Sequence, residues 1–272
     1  MKKLRVAVVQ MNSGEDKEKN LKKAKKLIEH ALKKKPELIC LPEVFNFRGN
    51  LLKAADAAEP IPGYSTNFIA KLAKKHHVWI LIGSIMERVE KHKKPYNTLI
   101  VINPKGKVIA KYRKMHIFDV NLNGKLILES SRNRGGNKPQ LVSIGNKKKV
   151  KVGLSVCYDL RFPELYRYYS KKGAEILCLA ASFVKVTGRT HWHMFLKARA
   201  VENQCYVIAP AQCGSGSAGL KTLGHSLIID PWGRILEEAP GNKEAVIFAE
   251  LDFNYLRELR KNLPFLKHRK IH

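Results

Sequence analysis

Short apolar blocks separated by lysine-rich stretches set the rhythm of the chain. "LRVAVVQM" (residues 4–11) suits a buried strand, and the segment after it spaces Leu21, Ala24, Leu27, Ile28, Ala31 and Leu32 along one face of a helix. "PELICLPEVF" predicts a second buried strand. Pro42 lacks the N–H that would extend a ladder, so Glu43 falls on the carboxyl rim of that strand. The pattern then predicts a helix over 65–76, strands over 78–84, 97–103 and 107–112, a strand over 150–156, and a helix opening at Pro163, a residue suited to a first helical turn. A strand over 175–180, a helix over 190–204, strands over 205–212, 224–230 and 244–251 and a short terminal helix complete the expectation. Strands alternating with helices and later joined by hairpins point to an α/β fold with buried mixed sheets. Residues 121–148, rich in Asn, Gly, Lys and Ser, read as a long surface excursion. No internal repeat or low-complexity linker breaks the chain, so one domain over 1–272 is expected.

Composition narrows this picture. Hydrophobic residues make up 44% of the 272, enough for a packed core, and no apolar run approaches the roughly 20 residues of a membrane span. The opening "MKKLRVAVVQM" is too short and alternating for a secretion signal, so a cytoplasmic protein without a membrane partner is expected. Cys40, Cys157, Cys178, Cys205 and Cys213 form no CxxC pair, which favours reduced thiols over a zinc or disulfide framework. The 51 basic and 23 acidic side chains leave a formal charge of +28. These lysines are scattered over helix faces and loops without interleaved aromatics, so non-specific polyanion binding is the expected consequence.

One stretch carries chemistry. In "GLSVCYDLRFPEL" (153–165), Cys157 ends an apolar strand just before the next element begins. A side chain there projects into a cleft at the strand's carboxyl rim, with the following N–H groups turned towards it. A cysteine needs a base or a cation to work at neutral pH. Glu43 in "LPEVF" and Lys114 in "YRKMHIF" occupy two other strand ends and can supply them, and Glu129 in "LILES" can hold the lysine or position a substrate. Asp159 and Arg161 are expected to pair and fix the loop behind the cysteine. Asn97, Arg199, Glu202 and Asn203 read as buried polar braces.

In order and separation, "LPEVF", "YRKMHIFD" and "GLSVCYDLRFPELYR" resemble the nitrilase, or carbon–nitrogen hydrolase, superfamily. The resemblance extends through "THWHMFLKARAVENQCYVIAPAQCG", "GHSLIIDPWGRIL" and "NYLRELRKNLPFLKHR", nearly the whole chain. Within the superfamily the chain is most similar to the Nit branch, particularly to deaminated glutathione amidases. The resemblance implies a four-layer α-β-β-α sandwich and a Glu–Lys–Cys triad, with Glu43 as general base, Lys114 as electrostatic stabiliser and Cys157 as nucleophile. It places Glu129 on the family's second glutamate and the backbone N–H of Tyr158 in the oxyanion site. It also implies a small-molecule amide substrate, a homodimer or higher homo-oligomer, and neither metal nor organic cofactor.

The chain departs from this pattern at "THWHM", where His193 stands in place of the usual glutamate, and in its surface lysine load. The spacing of His191 and His193 does not suit a shared metal site on one helix face. The chemistry expected is hydrolysis of a terminal amide on a small acidic metabolite, with ω-amidase action on α-ketoglutaramate or α-ketosuccinamate as the near alternative. A non-catalytic basic binding module on the same fold is the alternative from another class.

Overall fold

The structure is a computed structural model that describes residues 3–49, 56–122, 124–145, 149–216 and 221–271. The first half of the chain folds as strand β1 (Lys3–Gln10), helix α1 (Lys17–Leu32), β2 (Leu38–Cys40), α2 (Tyr64–His76), β3 (Trp79–Glu87), β4 (Tyr96–Ile102) and β5 (Val108–Arg113). A hairpin of β6 (Asp119–Leu122) and β7 (Lys125–Leu128) follows. The second half runs β8 (Leu141–Ile144), β9 (Val150–Val156), α3 (Pro163–Lys171), β10 (Ile176–Ala180), α4 (Lys185–Asn203), β11 (Tyr206–Ala209), β12 (Leu227–Ile229), β13 (Ile235–Glu238), β14 (Ala245–Asp252) and α5 (Phe253–Asn262).

Two six-stranded sheets result, ordered β14-β1-β2-β3-β4-β5 and β13-β12-β11-β10-β9-β8. Each contains three consecutive parallel strands, β1-β2-β3 or β9-β10-β11, flanked on one side by one antiparallel strand and on the other by two. The pairing scheme is therefore repeated although no repeat is visible in the sequence. Backbone pairing depends on alternation and turn placement, so two segments can share it without sharing residues.

Alternation along β1 builds the layers. Val6 and Val8 face the second sheet, while Ala7 and Val9 face α1 and α2, whose Leu21, Ala24, Ile28, Ile69 and Ala73 cover the outer side. Asp16 caps α1 by accepting a hydrogen bond from the Lys19 N–H at 3.0 Å. On the far side, Leu165, Tyr166 and Tyr169 of α3 and Trp192, Leu196 and Ala200 of α4 cover the second sheet. This is the four-layer α-β-β-α sandwich expected from the sequence. Strand β4 lies over β9, and β3 over β10.

Three sequence expectations need correction. Residues 121–148 are not a plain surface excursion: the described part contributes to the β6–β7 hairpin, a 3-10 turn at Glu129–Ser131 and the edge strand β8. Residues 123 and 146–148 of that stretch lie outside the described set. Helix α4 begins at Lys185 rather than 190, through Gly188, where a Cβ would come within 3.0 Å of the Leu223 side chain. Strand β13 in the last third of the chain is additional to the strands expected there.

Candidate active site

Four strand ends converge between the sheets. Glu43 follows β2, Lys114 follows β5, Cys157 follows β9 and Ser182 follows β10. The chain must turn away from each sheet immediately after these side chains, and two left-handed residues help it do so. Val44 has φ 48° and Cys157 itself has φ 50°. Such backbone costs roughly 1–3 kcal/mol per residue and survives only where surrounding packing holds it. The Val44 N–H donates to Ser84 Oγ at 2.9 Å, and Pro42 packs on Gly83, where a Cβ would fall 2.1 Å from the Leu41 carbonyl oxygen.

Glu43, 4% exposed, is an ionisable side chain with every near neighbour specified. Its Oε1 accepts from Asn97 Nδ2 at 2.8 Å, and its Oε2 accepts from the Ser182 N–H at 2.6 Å. The carboxylate and the Cys157 thiol are close enough for each to shift the other's titration. Lys114 Nζ stands 3.7 Å from Glu43 Oε1 and 2.7 Å from Glu129 Oε2. Glu129 is fixed in turn by the Phe118 N–H at 2.7 Å and Asn133 Nδ2 at 3.2 Å.

Burial and charge divide the protons among these groups. Burial raises the Glu43 carboxyl above its ordinary range, with Lys114 and the hydrogen bonds pulling against it. Burial and then the Glu43 charge push the Cys157 thiol well above the ordinary cysteine value, despite Lys114. Burial alone would lower Lys114, but Glu129 and Glu43 raise it instead. Glu129 is held below its usual value: burial opposes this, and the Lys114 ion pair overcomes it. The shifts favour a neutral thiol beside Glu43 and a charged ammonium on Lys114 paired with Glu129.

The site opens into a cavity of about 180 Å³. Glu43, Lys114, Glu129 and Cys157 line it together with Phe118, Phe183 and Arg132. Arg161 also lines it, with its guanidinium over the rings of Tyr158 (5.1 Å) and Phe183 (4.7 Å) and 3.3 Å from His191 Nδ1. Arg48 reaches the cavity too, but its guanidinium donates to Ser13 O, Thr222 Oγ1, Asn12 Oδ1 and Cys213 O.

The expected Asp159–Arg161 pair does not form. Asp159 is fully buried and turns the other way: it accepts from Tyr112 Oη at 2.7 Å, from the Val156 N–H at 2.8 Å and from the His116 N–H at 3.0 Å, with His116 Nδ1 at 2.7 Å. A fully buried carboxylate takes the donors that reach it, here one from its own turn and the others from β5 and the segment after it, and the arginine two residues on is left to face the cavity. Of the expected braces, Asn97, Arg199 and Asn203 are buried while Glu202 is half-exposed. Ser182, Asn133 and Arg132 were not singled out in the sequence. The signal for Ser182 was its place: Ala180 pairs with Val156 in the parallel ladder, so 182 and Cys157 leave adjacent strands at one rim.

Residues 5–261 match the family described as carbon–nitrogen hydrolase. The chain belongs to that family. A deaminated glutathione amidase of Synechocystis is 42% identical to it over 99% of each chain. An omega-amidase of Xenopus tropicalis is 37% identical over 99% of this chain and 96% of its own. Among solved structures, Saccharomyces cerevisiae Nit3, described as a member of branch 10 of the nitrilase superfamily, superposes with a TM-score of 0.89 at 34% identity, covering 99% of this chain and 97% of that one. The family, the Nit branch and the sandwich expected from the sequence therefore stand. No helix among the described residues is long and apolar enough to cross a membrane.

Proposed function

We propose that this chain is an amidase that hydrolyses a terminal amide of a small acidic metabolite through a thioester on Cys157, with deaminated glutathione as its substrate. The observation that carries the reading is the buried Glu43 carboxylate, 3.7 Å from Lys114 and lining one cavity with the Cys157 thiol, a cavity whose wall also carries Arg132 and Arg161. The two arginines suit a substrate with carboxylates, and relatives at 42% identity bear the name of that activity.

The steps follow from the proton positions. Glu43 takes the thiol proton as Cys157 Sγ attacks the amide carbon, and the negative oxygen of the tetrahedral adduct lies against Lys114 and the Tyr158 N–H. The carbon–nitrogen bond then breaks, Glu43 returns the proton to the nitrogen, and ammonia leaves a thioester. Water gives a proton to Glu43 and attacks the thioester carbon through a second tetrahedral adduct. The carbon–sulfur bond breaks, the carboxylic product departs, and Glu43 reprotonates the sulfur. Glu129 acts through Lys114, which it holds in place.

The same cavity and the 37% identical omega-amidase support α-ketoglutaramate as a second substrate to be compared. Ammonia release measured on both compounds decides: a higher kcat/KM on deaminated glutathione is expected, and the reverse order would replace it with the ω-amidase reading. Rapid mixing and intact-mass measurement should catch acylated Cys157. Turnover without any acyl-enzyme in the wild type, or full turnover by Cys157→Ala, would overturn the mechanism. The reading includes one domain spanning the chain, a homo-oligomer and a cytoplasmic setting, with the +28 surface giving non-specific polyanion attraction that salt abolishes.

A further inference from the structure

A second convergence of ionisable side chains lies away from the cysteine. His193 of α4, His225 in the connection between β11 and β12, and Glu238 at the end of β13 bring their donor atoms within 4.8 Å of one another. One oxygen, Glu238 Oε1, lies 3.0 Å from His193 Nε2 and 2.6 Å from His225 Nδ1. The proposed mechanism uses none of the three.

The cluster is held by backbone as well as by side chains. His225 has φ 54° and follows Gly224 at φ 73°. Its carbonyl accepts the Trp192 indole N–H at 2.8 Å, and its ring packs so closely on Gly241 that a Cβ there would fall 2.3 Å from His225 Nε2. Glu238 is opposite Leu227 in the β12–β13 ladder, and Ala239 N–H bonds to the Ser226 carbonyl at 2.9 Å, which fixes the carboxylate's strand against the segment carrying His225. The side chains are 37%, 35% and 32% exposed, so solvent reaches one side.

We infer that His193, His225 and Glu238 form a binding site for one divalent ion of the zinc class, with water completing its coordination. Two imidazoles and a carboxylate are a competent donor set for Zn²⁺. Four-coordinate geometry with bonds of about 2.0–2.2 Å separates adjacent donor atoms by about 3.3 Å, so an entering ion would widen the 3.0 and 2.6 Å approaches of Glu238 Oε1 to the two imidazoles by less than an ångström. Coordination would use His193 Nε2 and His225 Nδ1 as neutral imidazole nitrogens. Each ring would keep its proton on the other nitrogen, leaving the carboxylate to offset part of the ion's charge. The ion would clamp α4 to the β12–β13 edge of its own sheet. The same turn of α4 touches the cavity wall, because Trp192 packs on Phe183 at 5.1 Å and His191 meets Arg161.

The test is a Zn²⁺ titration of chelator-stripped protein in competition with a chromophoric chelator, alongside thermal unfolding. Wild type and Cys157→Ala, which removes the competing thiol, should each bind one equivalent and gain in unfolding midpoint. His193→Ala, a substitution on a half-exposed helical position, and Glu238→Gln should each weaken binding by about 10- to 100-fold or more and abolish the thermal gain. Co²⁺ in the same site should give visible bands of a four-coordinate ion that disappear in both variants. Absence of binding in the wild type, undiminished binding in His193→Ala, or binding lost with Cys157 would overturn the assignment.

Discussion

The two sheets share one pairing scheme and divide the chemistry unequally. The first carries the charge: Glu43 follows its central parallel strand, Asn97 stands in β4 and Lys114 follows β5. The second carries the sulfur and a steering N–H, Cys157 after β9 and Ser182 after β10. A repeated scaffold thus fixes where strand ends fall, while the residues placed there differ completely. The consequence is that neither sheet holds a working site alone. Glu43 and Lys114 meet the Cys157 thiol only when the sheets pack, and the Ser182 N–H to Glu43 bond at 2.6 Å crosses from one to the other.

The sharpest way to break this division is to remove the second sheet's share. Cys157→Ala should lower amide turnover by at least about 10⁴-fold in an ammonia assay while leaving the unfolding midpoint near that of the wild type, since only one sulfur is lost from a partly exposed position. Removing the base proposed for the first sheet comes next. Glu43→Gln should cost about 10²- to 10⁴-fold in kcat/KM. In the wild type kcat/KM should fall as pH drops through a value above the ordinary carboxylate range, because burial raises Glu43 and the protonated acid cannot take the thiol proton. The substitution should erase that limb, and persistence of the limb would assign it to another group.

Smaller effects sharpen the contrast. Arg161→Ala should raise KM for an acidic amide by about tenfold with little change in kcat, through loss of one charge-assisted contact. A neutral short amide should feel no such loss, and equal effects on both would remove Arg161 from substrate binding. Least of all for activity, Glu87→Gln alters the first sheet alone. Glu87 is buried and held down to about 2: burial opposes the shift, and Arg113 at 2.7 Å, Lys111 at 2.9 Å and Thr98 at 2.8 Å outweigh it. A depressed carboxyl stabilises the fold above its unfolded value of about 4.5, and that stability is lost as pH falls towards 2. Denaturant titration at neutral pH should show a loss of about 1–3 kcal/mol in Glu87→Gln, with kcat unchanged and the acid sensitivity reduced.

The sequence was legible where a long apolar run ended in a polar residue. Glu43 and Cys157 each follow such a run, whereas Lys114 follows the half-polar strand "VIAKYR", and its place was legible through the ordered motifs instead. It was poorly legible where elements are short or local preference misleads. "LVSI" of β8 is four residues between polar neighbours, and Val186, Thr187 and Gly188 conceal the first turn of α4 behind poor helix formers. Asp159 was misread because proximity in sequence suggested Arg161, whereas its partners Tyr112 and His116 come from β5 and the segment beyond it. The His193, His225 and Glu238 cluster was hidden for the same reason: a 45-residue separation between two members has no local period.

The left-handed backbone at Cys157 narrows which atoms could ever replace its sulfur. Serine has the same unbranched shape and can enter that conformation with an oxygen in nearly the same place. Threonine, forked at Cβ, is more strained there, a cost the chain already bears once, at Val44 with φ 48°. An attempt to convert this enzyme to hydroxyl chemistry therefore starts best from serine, and a threonine variant should unfold at a lower temperature than the serine one.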